Sequence, residues 1–230
     1  MLKLTSIAFV FTLFLPNLFA SDFPNYKVGS GSEFELSLKN VKTKLIVTIA
    51  AQSPGRLVTE YYFNSPGLVA PMEMWQQFHL QKSAHKNLKI TKGFFYTHQT
   101  KAPQPLPKEN LQGTEALPID GFMIQNPKDI QKFFIAKEKV STPAGSVSAA
   151  HYRVSTGTQT IDFWISDQAK PIGLVQLKST GTKPDQNFGL KLKQLVSNVK
   201  RKIDPKKAVP LTEQGRSFLQ LNKVGRLKLN

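Results

Sequence analysis

Apolar and polar residues alternate along most of the chain, with the two-residue period of a β-strand that buries one face. The first such run begins at Phe34, and a Pro-Gly turn signal at 54–55 separates the second run from the third. The runs in the first half of the chain are 34–38, 44–51, 57–63 and 87–97. They predict successive antiparallel strands joined by short connections.

Residues 72–81 fit two structures. As a strand, they place Met74, Phe78 and Leu80 on one face. As a helix, they would have Pro71 as a favourable first residue, and Met74, Phe78 and Gln81 would stack on one side. We favour the strand, because predicted strands flank the segment on both sides.

Four further β-rich runs lie between residues 132 and 178, separated by three clusters of Pro, Gly, Ser and Asp. This spacing is typical of a β-meander. Ile161 and Phe163 fall on one face of it, with Asp162 on the other. A last run begins at Phe188 and has lysines on its outward side, which indicates a protected edge strand.

The fold class that follows is mainly β: a single curved antiparallel sheet or half-open β-barrel with few short helices and a basic C-terminal tail. We divide the chain into a signal peptide (1–20), a flexible lead-in (21–32), the β domain (33–197) and a basic, flexible tail (198–230).

Between the two groups of strands, the prolines of residues 98–118 predict a long loop that lies over one mouth of the sheet. A short strand is expected at 119–124, and residues 126–129 are suited to cap one helical turn.

The first twenty residues have the pattern of a secretory signal peptide. Lys3 supplies the positive charge, residues 7–15 are apolar, and Ala20 precedes the expected cleavage site. The alternative is an uncleaved anchor, although the run is shorter than the ~20 residues of a spanning helix. The sequence contains no cysteine, which rules out disulfides and thiolate metal sites and suits export to a bacterial periplasm.

The formal net charge is +16, and much of the excess lies near the C-terminus. The last forty residues hold eleven Lys and Arg side chains against Asp204 and Glu213. Such a field favours anionic partners. The candidate polyanion-binding residues are Lys200, Arg201, Lys202, Lys206 and Lys207. The alternative is a solvated tail with no partner.

No catalytic or metal-binding motif stands out. The histidines do not have the H-E-x-x-H spacing of a zinc protease, and neither G-x-S-x-G nor a phosphate-binding glycine loop occurs. His79 and His98 would have to meet across neighbouring strands to bind a metal, and we favour exposed histidines instead. His151 and Asp162 are expected to form a solvated cross-strand pair rather than a catalytic dyad. We therefore predict no enzyme activity, metal or cofactor.

Three blocks of the meander are similar to a recurring pattern: residues 140–145 with Ala150-His151-Tyr152, then 162–166, then 171–175. The pattern resembles that of uncharacterised bacterial periplasmic proteins with a Lol-type, lipoprotein-carrier-like curved sheet. The resemblance implies a half-open barrel that holds an acyl chain on its concave face. It transfers no binding residue.

The first functional hypothesis is therefore a non-enzymatic periplasmic protein that binds an apolar or amphipathic envelope molecule, such as a lipid or a lipoprotein acyl chain. A strongly curved sheet needs its concave face filled by side chains or by a ligand. The candidate lining is aromatic: Phe63, Trp75, Phe78, Phe94, Tyr96, Phe163 and Trp164. The same residues would also serve as a plain core.

The second hypothesis is an envelope interaction protein whose basic tail binds a polyanion, a membrane surface or a protein partner. Export makes a nucleic acid partner unexpected despite the charge.

Overall fold

The computed structural model describes residues 23–38, 41–65, 72–82, 88–111, 130–183 and 186–224. Within these ranges the chain is mainly β, and its strands form one large antiparallel sheet that is curved and not closed. The predicted fold class is thereby confirmed. The strands are β1 (Gly31–Leu38), β2 (Val41–Ser53), β3 (Arg56–Ser65), β4 (Met72–Lys82), β5 (Leu88–Thr97), β6 (Gln104–Pro105), β7 (Phe134–Thr142), β8 (Gly145–Thr156), β9 (Gln159–Ile165), β10 (Leu174–Gly181) and β11 (Phe188–Val196). The helices are α1 (Lys108–Leu111) and α2 (Glu213–Val224), with 3₁₀ turns at Gln131–Phe133, Asp167–Ala169 and Pro205–Lys207.

The strand order is β6-β5-β4-β3-β2-β1-β11-β10-β9-β8-β7. Two meanders, one from each half of the chain, are thus joined where β1 pairs with β11. The strand prediction for 72–81 is confirmed by β4. The edge position predicted for the last strand is wrong, because β11 lies in the middle of the sheet. Its outward lysines meet acidic residues of β1, as Lys193 does with Glu33 at 3.4 Å.

Cross-strand register assigns each side chain to one of two faces, because directly opposite residues share a face. The core face carries the row of Phe34, Leu45 and Phe63, and the outer face carries the row of Glu60 and Gln77. The core face is mainly apolar, and its buried hydrophobic side chains form one cluster across both meanders. Its most completely buried side chains include Phe34, Leu45, Ile49, Leu57, Leu80, Phe95, Ile161 and Phe163.

Short segments outside the main strands cover the core face. Leu106, Ile130 and Leu219 are buried in the core cluster. Phe218 of α2 stacks on Phe95, with ring centroids 5.9 Å apart and an interplanar angle of 7°. Gly215 allows this helix to lie close to β6, because a Cβ there would come within 2.0 Å of the Gln104 side-chain oxygen. Helix α2 is therefore part of the core.

The chain between β11 and α2 is hydrogen-bonded to the sheet, whereas its charge predicts a flexible tail. We name residues 197–212 the strap. Val199 donates a backbone hydrogen bond to Gly29 (3.0 Å), Ile203 is fully buried, and Val209 donates to Pro103 (2.9 Å). The strap crosses the outer face and reaches the core face beyond β5. These hydrogen bonds join residues far apart in the sequence, so sequence periodicity does not reveal them.

The lead-in also differs from expectation near its end. Gly29 donates to Ile49 (2.8 Å), and Ile49 donates to Ser30 (2.9 Å), which extends the sheet before β1. The predicted 98–118 loop includes β6 and α1 in the part that is described. The signal peptide, the strand expected at 119–124 and the helix cap at 126–129 lie outside the described residues.

We predict that Phe218→Ala lowers the free energy of unfolding by about 2–3 kcal/mol, because it removes an aromatic stack from a partly buried position. The measurement is urea unfolding at equilibrium, read as a shift in midpoint at constant slope. Val209→Ala, which truncates an exposed strap residue, serves as the control and should change stability by about 0.5 kcal/mol or less. Equal effects of the two changes would contradict the packing of α2 on the core face.

Candidate functional site

The aromatic residues predicted to line one concave surface are divided between the two faces. Phe78 and Phe163 are buried on the core face, where Phe63 packs against the same cluster. Trp75 pairs with Tyr62 and Tyr96, and Phe94 pairs with Gln77; these positions belong to the outer face. Trp164 follows Phe163 directly in β9 and so lies on the opposite face as well. The seven residues therefore do not form a single pocket.

A buried carboxylate fastens the strap to the outer face. The backbone N–H groups of Lys202 and Ile203 donate to the two Glu60 oxygens at 2.7 and 3.0 Å. The Gln77 amide donates both to Glu60 (3.2 Å) and to the carbonyl of Ile203 (2.9 Å). Burial raises the pKa of Glu60, and the hydrogen bonds from the strap backbone and Gln77 oppose that rise. The hydrogen bonds of Glu60 and Gln77 thus fix where the strap crosses the sheet.

An aromatic row lies beside this anchor. We use that name for Tyr62, Trp75 and Tyr96, which are cross-strand partners on β3, β4 and β5. Ring centroids are 4.8 Å apart for Tyr62 and Trp75, and 5.5 Å apart for Trp75 and Tyr96. The Lys202 ammonium lies 5.0 Å from the Trp75 centroid and 5.1 Å from that of Tyr96. All three rings are partly exposed.

A polar row runs next to the aromatic row at the same end of the strands, and we define it as Asn64, Glu73 and His98. The Tyr62 hydroxyl donates to Glu73 Oε1 (2.5 Å), and Asn64 Nδ2 donates to that hydroxyl (3.0 Å). His98 Nε2 lies 2.7 Å from Glu73 Oε2. The hydrogen bond from Tyr62 is the main cause that lowers the pKa of Glu73, and His98 and Lys202 act in the same direction.

The five basic residues predicted to bind a polyanion all lie on the strap, and all five are exposed. Arg201 and Asp204 are 3.9 Å apart, the outer limit of an ion pair. The Asp204 side chain instead caps the 3₁₀ turn by accepting from the Lys206 backbone N–H at 3.1 Å. The strap therefore presents a basic edge on a fixed backbone.

A second polar cluster occupies the outer face of the other meander. The predicted pairing of His151 with Asp162 is confirmed, with Nε2 and Oδ1 2.6 Å apart. Arg153 donates to the same oxygen, and Glu138 lies 3.0 Å from His151 Nδ1. The pair is buried rather than solvated, because the Trp164 ring stacks on His151 at 4.3 Å. These contacts join β7, β8 and β9.

The remaining histidines do not meet in the way that a metal site would require. His79 contacts Gln77 at 3.1 Å, and burial lowers its pKa, whereas His98 contacts Glu73. His85 lies outside the described residues. Among the residues that the structure describes, no group of three or more His, Asp or Glu side chains is placed to hold a metal ion. The described helices include none long and apolar enough to span a membrane.

No protein-family model and no curated protein matches the sequence. The chain has distant similarity to several solved structures. A Bacteroides fragilis protein described as exported, with a YmcC-like fold, is 13% identical at a TM-score of 0.40, over 76% of this chain and 99% of that one. A hypothetical protein of Chlamydia trachomatis is 8% identical at a TM-score of 0.45, over 77% and 91%. A chain of the MucA/MucB complex of Pseudomonas aeruginosa is 8% identical at a TM-score of 0.44, over 88% and 61%. Similarities this low assign neither a family nor a function, and the Lol-type resemblance stays a prediction.

We predict that Glu60→Ala loosens the strap. It leaves two backbone N–H groups without their acceptor, which costs about 1–3 kcal/mol. Hydrogen exchange at the Lys202 and Ile203 amides should accelerate by a corresponding factor. Glu35→Ala is the matched control: its carboxylate is 40% exposed and pairs with Lys42, so its loss should cost less than about 1 kcal/mol. Unchanged exchange at 202 and 203 in Glu60→Ala would show that the anchor does not hold the strap.

Proposed function

We propose that this chain is a non-enzymatic cell-envelope protein that binds an anionic envelope polymer or membrane surface through its strap. The observation that supports this most directly is the fixed strap, which carries five exposed cations across one face of the sheet. The expected signal peptide supports the location.

A fixed strap binds a polyanion differently from a flexible tail. The backbone of residues 202 and 203 is already ordered by Glu60, so less conformational entropy is lost when a ligand binds. The exposed cations act over roughly 10 Å at moderate salt, which allows neighbouring charges to work together. The strap thus favours a ligand with closely spaced negative groups.

We predict that replacing Lys200, Arg201, Lys206 and Lys207 by Gln together weakens binding to phosphatidylglycerol vesicles by up to about 10³-fold. Each basic residue near an anionic surface contributes about 1 kcal/mol. Lys202 is kept, because its ammonium also contacts the aromatic row. Vesicle co-sedimentation at low and high salt is the measurement, and long-chain polyphosphate serves as the soluble probe.

The control for this variant is an equal loss of charge elsewhere. Lys137, Lys139, Lys178 and Lys183 are exposed on the other meander, and the same change to Gln there should alter binding only slightly. Equal loss in both variants would mean that net charge alone drives binding. Loss with vesicles but not with polyphosphate would identify a membrane surface as the partner, and the reverse would identify a polymer.

A second candidate function is the binding of a lipid or lipoprotein acyl chain on the core face. The supporting observation is that hydrophobic side chains cover this face across both meanders, while the pieces that pack over it are short or terminal: Leu106 after β6, α1 and α2. Of the aromatic candidates, Phe63, Phe78 and Phe163 are the ones on that side. A bound chain would have to share the face with Phe218 and Leu219.

We expect native mass spectrometry of the mature protein to distinguish this candidate. A lipid that co-purifies at near one-to-one stoichiometry, and that organic extraction removes, would support the acyl-chain function. An unliganded mass that does not change when short-chain phospholipid is added would leave the core face as a plain core. Phe163→Ala should abolish a true lipid adduct, and the exposed Leu195→Ala should keep it.

A further inference from the structure

The aromatic row and the polar row form a two-part surface next to the strap. Three partly exposed rings lie side by side on neighbouring strands, and a glutamate, a histidine and an asparagine line the adjacent positions. Trp75 and Tyr96 are not needed to fill the core, because they lie on the opposite face from it. Large aromatic rings outside the core often mark a binding surface.

We infer that this surface binds sugar rings, and that the anionic ligand of the strap is an acidic glycan. The inference rests on the proposed function, since the strap cations would hold the acidic groups of the same polymer. Pyranose rings have apolar C–H faces that stack on aromatic rings, and their rims carry hydroxyl groups that need polar partners. The two rows provide both kinds of contact at adjacent positions.

The polar row has the donor and acceptor chemistry that hydroxyl groups require. The Glu73 carboxylate accepts from sugar hydroxyls, while the Asn64 amide and the His98 ring donate. Glu73 and His98 are already oriented by contacts of 2.5 and 2.7 Å within the site. Side chains held in this way lose little freedom when a ligand binds.

Lys202 connects the two parts of the site. Its backbone N–H is held by Glu60, while its ammonium lies over Trp75 and Tyr96. A sugar carboxylate or phosphate near the rings would pair with this ammonium. A stacked single-stranded DNA fits less well, because its bases could stack on the rings but it lacks the hydroxyl groups that the polar row would bind.

The test uses the full mature chain and three polyanions of matched charge: oligogalacturonate, polyphosphate and single-stranded oligothymidylate. Tyr96→Ala should weaken oligogalacturonate binding by about tenfold and change polyphosphate binding by less than about twofold, in calorimetric titrations. Phe94→Ala is the matched control. It removes a partly exposed ring from the same face of the same strand, but that ring packs at a tilt against His79 instead of lying in the aromatic row.

A second measurement keeps Tyr96 in place and so does not require the Tyr96→Ala variant to fold. The chain has two tryptophans, so Trp164→Phe leaves Trp75 as the only one. Oligogalacturonate should quench or shift its fluorescence, and polyphosphate should not.

The sugar site would be overturned, and the proposed strap function left intact, by equal binding of both polyanions with no change in Trp75 fluorescence and no loss of affinity in Tyr96→Ala. Failure of both polyphosphate and phosphatidylglycerol vesicles to bind would overturn the strap function, even if oligogalacturonate still perturbs Trp75. Tighter, Tyr96-dependent binding of oligothymidylate would replace the glycan by a nucleic acid and overturn the inference.

Discussion

The pairing of β1 with β11 is the constraint on which the remaining architecture depends. It joins the first and last strands of the sheet in its centre, and so combines two local meanders into one surface. The pairing buries Glu33 between Lys44 and Lys193, at 3.3 and 3.4 Å. Burial alone would raise the pKa of Glu33, but hydrogen bonds from Gln194 and the lysines, together with the charge of Lys44, lower it overall. The charged outer side of β11 is thus compatible with a central position.

The same pairing determines where the strap begins. Val196 pairs with Gly31 at the start of β1, so the chain leaves the sheet at its centre rather than at an edge. From there it must cross several strands of the outer face to reach the core face. A crossing of this kind buries backbone amides, and Glu60 and Gln77 satisfy them. The buried carboxylate is therefore a structural consequence of the topology, as well as a support for the basic edge above it.

Local patterns in the sequence were sufficient to predict the longer strands, the meander and the fold class, because a two-residue period depends only on neighbouring residues. The prediction that seven aromatic residues line one surface was wrong, and the same two-residue period explains why. Phe163 and Trp164 are consecutive in one strand and must face opposite sides, so they could not line the same surface. The alternation already contained that information. The strap was different: its bonds to Glu60 span more than 140 residues, and no local signal predicts them.

The location of the basic residues has consequences for selectivity. On a flexible tail, five cations would adapt to almost any polyanion, and discrimination would be weak. On the strap, they share a fixed frame with an aromatic row and a polar row, since Lys202 is bonded to Glu60 through its backbone and lies over Trp75 through its side chain. Charge can attract many ligands, but rings and oriented polar groups favour those whose shape and hydroxyl pattern match. The order of the strap therefore converts a non-specific property of the composition into a surface with defined chemistry.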